Sequence, residues 1–213
     1  MKVTSFEFNP FGVNTYLVID ETTNEAAVID PGMSNERECE TFKRFIDASG
    51  AKITSLINTH LHIDHTLGNE FVEAEYGVGL TAHSADEFLG QGRAQQAAMF
   101  GMGGVATSPL TIAHNVKQGD TIKVGNGRLR VLEVPGHSPG SIALWDDTDA
   151  FVITGDALFK GSIGRTDLPG GNHSQLINSI TNRLLTLPPE TIVYPGHGPA
   201  STIAEEMRTN PFL

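Results

Sequence analysis

Apolar and polar positions along the chain sort first into strands. Residues 2–8 alternate, and Val13-Asn14-Thr15-Tyr16-Leu17-Val18-Ile19 and Ala26-Ala27-Val28-Ile29 are apolar runs broken by the polar turn Asp20 to Asn24; three strands are predicted. Asp30-Pro31-Gly32 ends the third. Asn35 reads as a helix N-cap with Glu38 three residues on, and Cys39, Phe42, Phe45 and Ile46 follow at helical spacing until Gly50 stops the helix. The β-branched run Ile53 to Ile57 is the next strand, and Thr59 to His65 is expected as a tight loop closed at Gly68. Leu67, Phe71, Ala74 and Glu75 suggest a helix ending at Gly77, followed by a short strand over Leu80-Thr81-Ala82.

Residues 84–118 carry no sustained period. Arg93 to Met99 has helical character, but Gly101, Gly103 and Gly104 interrupt it. The segment reads as a partly helical insertion lying over a functional site, or as an ordinary surface connection. The second half then repeats the style of the first. Thr121 to Val124 and Leu129 to Val134 are strands joined by a Gly125-Asn126-Gly127 turn, a hairpin signal. Ser141 to Trp145 and Ala150 to Thr154 form another pair. Residues 174–187 read as a helix with Leu176, Ile177, Ile180, Leu184 and Leu185 on one face, ended by Pro188 and Pro189. Thr191 to Tyr194 is the last strand and residues 201–208 the last helix. Strands then helices, twice over, predict an α/β fold of two mixed sheets packed face to face with helices outside. No linker divides the pattern, so residues 1–213 are expected to form a single domain of two similar halves.

Charge narrows the partners. The chain has 14 Lys and Arg against 25 Asp and Glu, a formal net charge of -11, with no basic cluster. That disfavours nucleic acid and electrostatic docking on anionic membranes as partners. The one cysteine, Cys39, excludes an intrachain disulfide and reads as a small buried apolar residue. The N-terminal residues lack the apolar stretch of a secretory signal, and no run has membrane-spanning length, so a cytoplasmic location is expected.

The chemistry concentrates at Thr59-His60-Leu61-His62-Ile63-Asp64-His65, at the C-terminal tip of a predicted strand. Residues two apart do not share a helix face, so His60 and His62 can converge only outside a regular helix. Three more polar residues follow strands beside glycine: His137 in Pro135-Gly136-His137, Asp156 in Gly155-Asp156, and His197 in Pro195-Gly196-His197-Gly198. His60, His62 and His137 supply three nitrogens for one metal ion. Asp64, His65 and His197 supply three donors for a second, and Asp156 has two oxygens with which to bridge. A hydroxide between the ions completes both shells. Imidazole and carboxylate without thiolate suit Zn, Fe or Mn, so the expected cofactor is two divalent metal ions, Zn first. His83, His114 and His173 read as structural or surface residues.

These motifs, in this order over residues 60–197, resemble the metallo-β-lactamase superfamily. The resemblance implies an αββα sandwich and the same seven ligands with the same division between two ions. Asp156 stands where resistance-conferring β-lactamases usually carry cysteine. The segment Lys160 to Asp167 is similar to one in short glyoxalase II-like hydrolases, and its Gly164-Arg165-Thr166-Asp167 part also resembles the persulfide dioxygenases. For the latter the resemblance implies a single iron at His60, His137 and Asp156. The C-terminal helical region of long glyoxalase II enzymes, which helps bind glutathione, has only a short predicted helix in its place. Of their glutathione contacts only Arg165 has a partial match. Arg165 either grips a substrate carboxylate bidentately or pairs with Asp167.

The expected function is therefore a metal-dependent hydrolase using a metal-bridging hydroxide, of the glyoxalase II-like thioesterase type. Asp64 would orient the nucleophile and Arg165 would contact a small-molecule thioester or related acyl substrate. The alternatives are a mononuclear iron persulfide dioxygenase and a non-catalytic metal-binding module. Oligomeric state is left open.

Overall fold

The computed structural model describes residues 1–102 and 108–213. Its first half runs β1 (Lys2–Phe8), β2 (Val13–Ile19), β3 (Glu25–Ile29), α1 (Glu36–Ser49), β4 (Lys52–Ile57), α2 (Ile63–Thr66), α3 (Asn69–Tyr76) and β5 (Leu80–Ala82). A single 3₁₀ turn, Ser84–Asp86, leads into α4 (Glu87–Gln91), α5 (Arg93–Met99) and β6 (His114–Asn115). The second half runs β7 (Thr121–Val124), β8 (Gly127–Glu133), β9 (Ile142–Asp146), β10 (Phe151–Gly155), β11 (Leu158–Phe159) and β12 (Ser162–Ile163). It closes with α6 (His173–Ser179), a wide turn over Ile180–Leu184, β13 (Ile192–Pro195), β14 (Ser201–Thr202) and α7 (Ile203–Thr209).

The described residues form two six-stranded sheets, in the orders β1-β2-β3-β4-β5-β6 and β14-β13-β10-β9-β8-β7. Both are mixed. In the first, β1 to β3 are antiparallel and β3 to β6 parallel. In the second, β7 to β10 are antiparallel and β13 runs parallel to β10. β11 and β12 make a small hairpin of their own, which the sequence pattern did not announce.

The period-2 rule of a strand explains the layers. Tyr16, Val18, Ala27, Ile29 and Ile57 of the first sheet meet Leu129, Val131, Leu144, Phe151 and Ile153 of the second in one buried cluster. The alternate residues Leu17, Ile19, Ala26, Val28 and Leu56 point the other way, onto Phe42 and Ile46 of α1 and Val72 of α3. Val134, Ala143, Val152 and Val193 likewise meet Leu176, Ile180, Leu184 and Ile203 on the helices of the second half. Helix, sheet, sheet, helix is the αββα order. Because both faces are covered, every residue of β2 is buried, and its apolar residues Tyr16 to Ile19 run on without alternation.

Three readings need correction. Thr59 to His65 is not loop throughout: Ile63 to Thr66 form one helical turn, too short to show a period. The helix expected over 174–187 is regular only to Ser179 and widens over Ile180–Leu184. Elsewhere Gly50 ends α1 in the left-handed region with φ 68°, and the Gly125-Asn126 turn joins β7 to β8. Arg93–Met99 is helical as expected, while residues 103–107 of the irregular segment lie outside the described residues. Cys39 is half-buried against the first core cluster rather than buried in it. Among the described residues, no helix is long and apolar enough to cross a membrane.

Candidate metal centre

Strand ends deliver the polar cluster. The chain leaves β4 at Ile57 and reaches His60 and His62, and α2 adds Asp64 and His65. His137 follows β8, Asp156 immediately follows β10, and His197 follows β13. Parallel pairing of β10 with β13 sends Asp156 and His197 to the same edge. Two bonds then lock the rims of the sheets together: Ile142 N–H donates to Thr59 O (2.8 Å) and Asn14 N–H to Gly196 O (2.7 Å).

All seven residues meet at that rim. The donor atoms of His60, His62 and His137 lie within 4.8 Å of one another, and so do those of Asp64, His65 and His197. His137 Nε2 is 2.8 Å from His62 Nδ1 and 3.3 Å from His60 Nε2. In the second set His197 Nε2 is 3.3 Å from His65 Nε2 and 3.2 Å from Asp64 Oδ2. Asp156 stands between the sets. Its Oδ1 is 3.3 Å from His65 Nε2, and its Oδ2 is 3.6 Å from both His137 Nε2 and His197 Nε2. Gly196 makes room for it, since a Cβ there would collide with Asp156 Oδ1.

The outer ring nitrogens settle the tautomers. His137 Nδ1–H donates to Arg165 O (2.7 Å), His197 Nδ1–H to Phe11 O (3.1 Å) and His65 Nδ1–H to Asp30 Oδ2 (3.0 Å). Thr59 Oγ1, its proton given to Asp30 Oδ2 at 2.6 Å, accepts from His60 Nδ1–H at 3.2 Å. Each of these four rings therefore turns Nε2 inward, available to a metal once any proton there is displaced, the arrangement that metal-binding histidines use. His62 is reversed, with Nδ1 inward, and its buried Nε2 has no partner.

Electrostatics favour a cation here. Burial, then the neighbouring imidazoles, depress the His60 and His62 pKa values, the latter to about 3, so both rings are neutral donors. Burial alone would lower His65, but Asp156, Asp64 and Asp30 together raise it well above its ordinary value. Burial would raise the Asp156 carboxyl, but His65 and then His137 hold it below the carboxylate range, and Asp156 Oδ1 is buried without a hydrogen-bond partner. A region that pulls a proton onto an imidazole and leaves a carboxylate oxygen unpaired is short of positive charge. Inward lone pairs and two carboxylates meet that need with divalent metal ions.

Several residues with roles here carried no signal in the sequence analysis. Asp30, fully buried at φ 51°, accepts from Thr59 N–H (2.7 Å), Thr59 Oγ1 and His65 Nδ1. It lies close enough to His60 and His65 to form a third donor set, but its oxygens are taken by those bonds and it faces the outer side of His65, so it orients. Its position at a strand end before Pro31-Gly32 is the one cue that resembles the other site residues. Asp86, also fully buried, ties the two halves by accepting from Leu61 N–H (3.1 Å), Ser138 Oγ (2.7 Å) and Gly140 N–H (2.6 Å). His83 is half-exposed and His114 and His173 are exposed, all outside the cluster.

A cavity of about 220 Å³ opens onto the cluster, walled by Phe11, Ile63, Phe100 and Leu168, with Arg165 at its edge. The rings of Phe11 and Phe100 meet edge-on at 5.8 Å. Arg165 is exposed, and its Nε and terminal nitrogen each lie 2.7 Å from the Asp167 carboxylate, so the pairing alternative is realised.

An αββα sandwich with His and Asp metal-binding groups at one rim is a metallo-hydrolase scaffold. The chain belongs to the metallo-beta-lactamase superfamily, whose sequence model matches residues 8–197. Hydroxyacylglutathione hydrolase GloC of Haemophilus influenzae is 34% identical, covering 100% of this chain and 98% of its own length. The probable metallo-hydrolase YqgX of Bacillus subtilis is 31% identical over 100% and 98%. Among solved structures, TTHA1623 in a di-iron-bound form matches with TM-score 0.86 at 35% identity over 100% of both chains. BLEG-1, a B3 metallo-beta-lactamase, matches with TM-score 0.85 at 31% identity, covering 100% and 99%. ETHE1 from Myxococcus xanthus matches with TM-score 0.75 at 31% identity, covering 99% of this chain and 84% of that one.

Proposed function

We propose that this protein is a thioester hydrolase of the hydroxyacylglutathione-hydrolase type that works with two divalent metal ions, Zn first among the candidates. His60, His62 and His137 would hold one ion, Asp64, His65 and His197 the other, and Asp156 would serve both. The observation that carries the reading is the second donor set, complete and adjacent to the first across Asp156. The relative GloC, 34% identical over the whole chain, supports the thioester. Bound there, the ions supply Lewis acidity, polarising a carbonyl and bringing the pKa of water from ~15.7 toward ~7.

The chain's own groups do the rest. Asp64 is held ionised, because His65 and a hydrogen bond from His197 outweigh its burial, and its carboxylate would orient the attacking water by accepting a hydrogen bond from it. Phe11, Ile63, Phe100 and Leu168 keep bulk water from the reacting carbonyl. Arg165 stands at the mouth, where its guanidinium can exchange Asp167 for a substrate carboxylate. A thiolate leaves readily, with a pKa of ~8–9, so no buried general acid is required. The test is metal analysis with S-lactoylglutathione hydrolysis: about two ions per chain with turnover supports the reading, and full metal loading without turnover on any thioester, ester or lactone overturns it in favour of a binding module.

A second reading, an iron persulfide dioxygenase using His60, His137 and Asp156, rests on the Gly164-Arg165-Thr166-Asp167 resemblance. It predicts one iron per chain and oxygen uptake on glutathione persulfide.

A further inference from the structure

The four-residue helix α2 carries Asp64 and His65 but lacks the means to hold itself. A single turn fixes its backbone at a net cost, so it depends on outside contacts. Its N-cap residue, His62, makes no capping bond because its imidazole is turned toward His137. The missing acceptor comes from α5, thirty-three residues on: Gln96 Oε1 accepts from Ile63 N–H at 3.1 Å. The amide cannot flip, since its nitrogen donates to Leu89 O at 2.9 Å and reaches Leu61 O at 3.4 Å. At the other end, Arg93 donates to Thr66 O at 3.0 Å, a carbonyl that a helix this short leaves free. Arg93 is fully buried and anchored in turn by Glu70 at 2.6 Å and Ser108 O at 2.7 Å. Residues 93 and 96 are one turn apart on α5 and share a face. One helix of the irregular segment thus grips both ends of the turn.

We propose that Gln96, with Arg93, is a positioning residue for the second donor set: α5 sets the place of Asp64 and His65, and hence the affinity for the ion that they would hold with His197. The inference rests on the two-ion reading above. Of the first set, His60 and His137 lie outside the turn and only His62 borders it, whereas two of the three donors of the second set lie on it, so the second set is the more affected. Outer contacts of this kind typically govern metal affinity by about 10–100-fold.

The test uses Gln96, which is half-buried, because deleting the buried Arg93 would strand Glu70 and endanger folding. Metal-free wild-type, Gln96→Ala and Gln96→Glu proteins are titrated with Co²⁺ by visible absorption, and backbone amide exchange over residues 63–67 is followed in the metal-free state. In Gln96→Ala one of the two binding steps should lose about 10–100-fold while the other loses markedly less, and the Ile63 amide should exchange faster with β4 amides unchanged. Gln96→Glu keeps an acceptor for Ile63 N–H but sets its other oxygen against Leu89 O, so it should recover part, not all, of both signals. Equal weakening of both steps, or an unchanged Ile63 amide, overturns the proposal. If wild type takes up a single ion, the two-ion reading fails, and faster Ile63 exchange in Gln96→Ala then upholds the gripping of α2 while unchanged exchange overturns it.

Discussion

His65 Nδ1 lies 3.0 Å from Asp30 Oδ2, and both side chains are shut off from solvent. The carboxylate fixes the proton on the outer nitrogen and so keeps the Nε2 lone pair facing the cluster. Replacing Asp30 by Asn would put an amide donor against that N–H and drive the ring to the opposite tautomer, while tolerating the left-handed backbone as aspartate does. The expected result is a fall of about 10–100-fold in affinity for the ion of the second set, read by metal titration, with circular dichroism unchanged. Unchanged affinity would remove Asp30 from the site.

Asp156 is the carboxylate that both donor sets share. Asp156→Ala should carry little metal after dialysis and have no hydrolase activity, yet keep the sandwich, because the side chain takes no part in the cores. Elemental analysis beside a thermal melt checks this. Activity in a metal-free Asp156→Ala protein would refute the ligand assignment.

Gly196 is the steric counterpart. Its φ needs no left-handed backbone, so Gly196→Ala costs the chain little conformationally, but the new methyl group would press on Asp156 Oδ1 and the His65 ring. Metal content should drop while the melting temperature changes by only a few degrees, equivalent to about 1 kcal/mol. A loss of stability with metal content intact would show that the glycine serves the fold instead.

Protonation should divide the two donor sets. His65 and His197 are both raised in the metal-free protein, so the folded chain holds these protons more tightly than the unfolded chain does. That stabilisation is complete below the ordinary histidine value of 6.5 and disappears as pH rises through the raised values. Metal must displace the same protons, so apparent affinity of the second set climbs with pH and binding releases protons. His60 and His62, both lowered, release none. Calorimetry at pH 7 in buffers of different ionisation enthalpy should show greater proton release on one binding step than on the other.

Arg165 separates gripping from pairing. Both it and Asp167 are exposed, so Arg165→Ala should leave the melting temperature unchanged. If the guanidinium engages substrate, KM for a carboxylate-bearing thioester rises several-fold while that for a neutral thioester stays put. Equal KM changes for both would assign Arg165 to its partner alone.

The layers and the seven polar residues were readable from the chain because local rules produce them. Alternation assigns Tyr16 and Val18 to one face of β2 and Leu17 and Ile19 to the other, and each site residue follows an apolar run beside glycine or within one tight cluster. Period could not reveal α2, since four residues contain barely one turn. Nor could it find Asp30 against His65, Gln96 against Ile63, or Phe11 against Phe100. Those partners are separated by dozens of residues and meet only because two sheets stack and the segment after β5 folds back over their rim. Spacing encodes which way a side chain points relative to its neighbours in sequence. What stands opposite it is decided by the packing of the whole chain, where each contact depends on all the others.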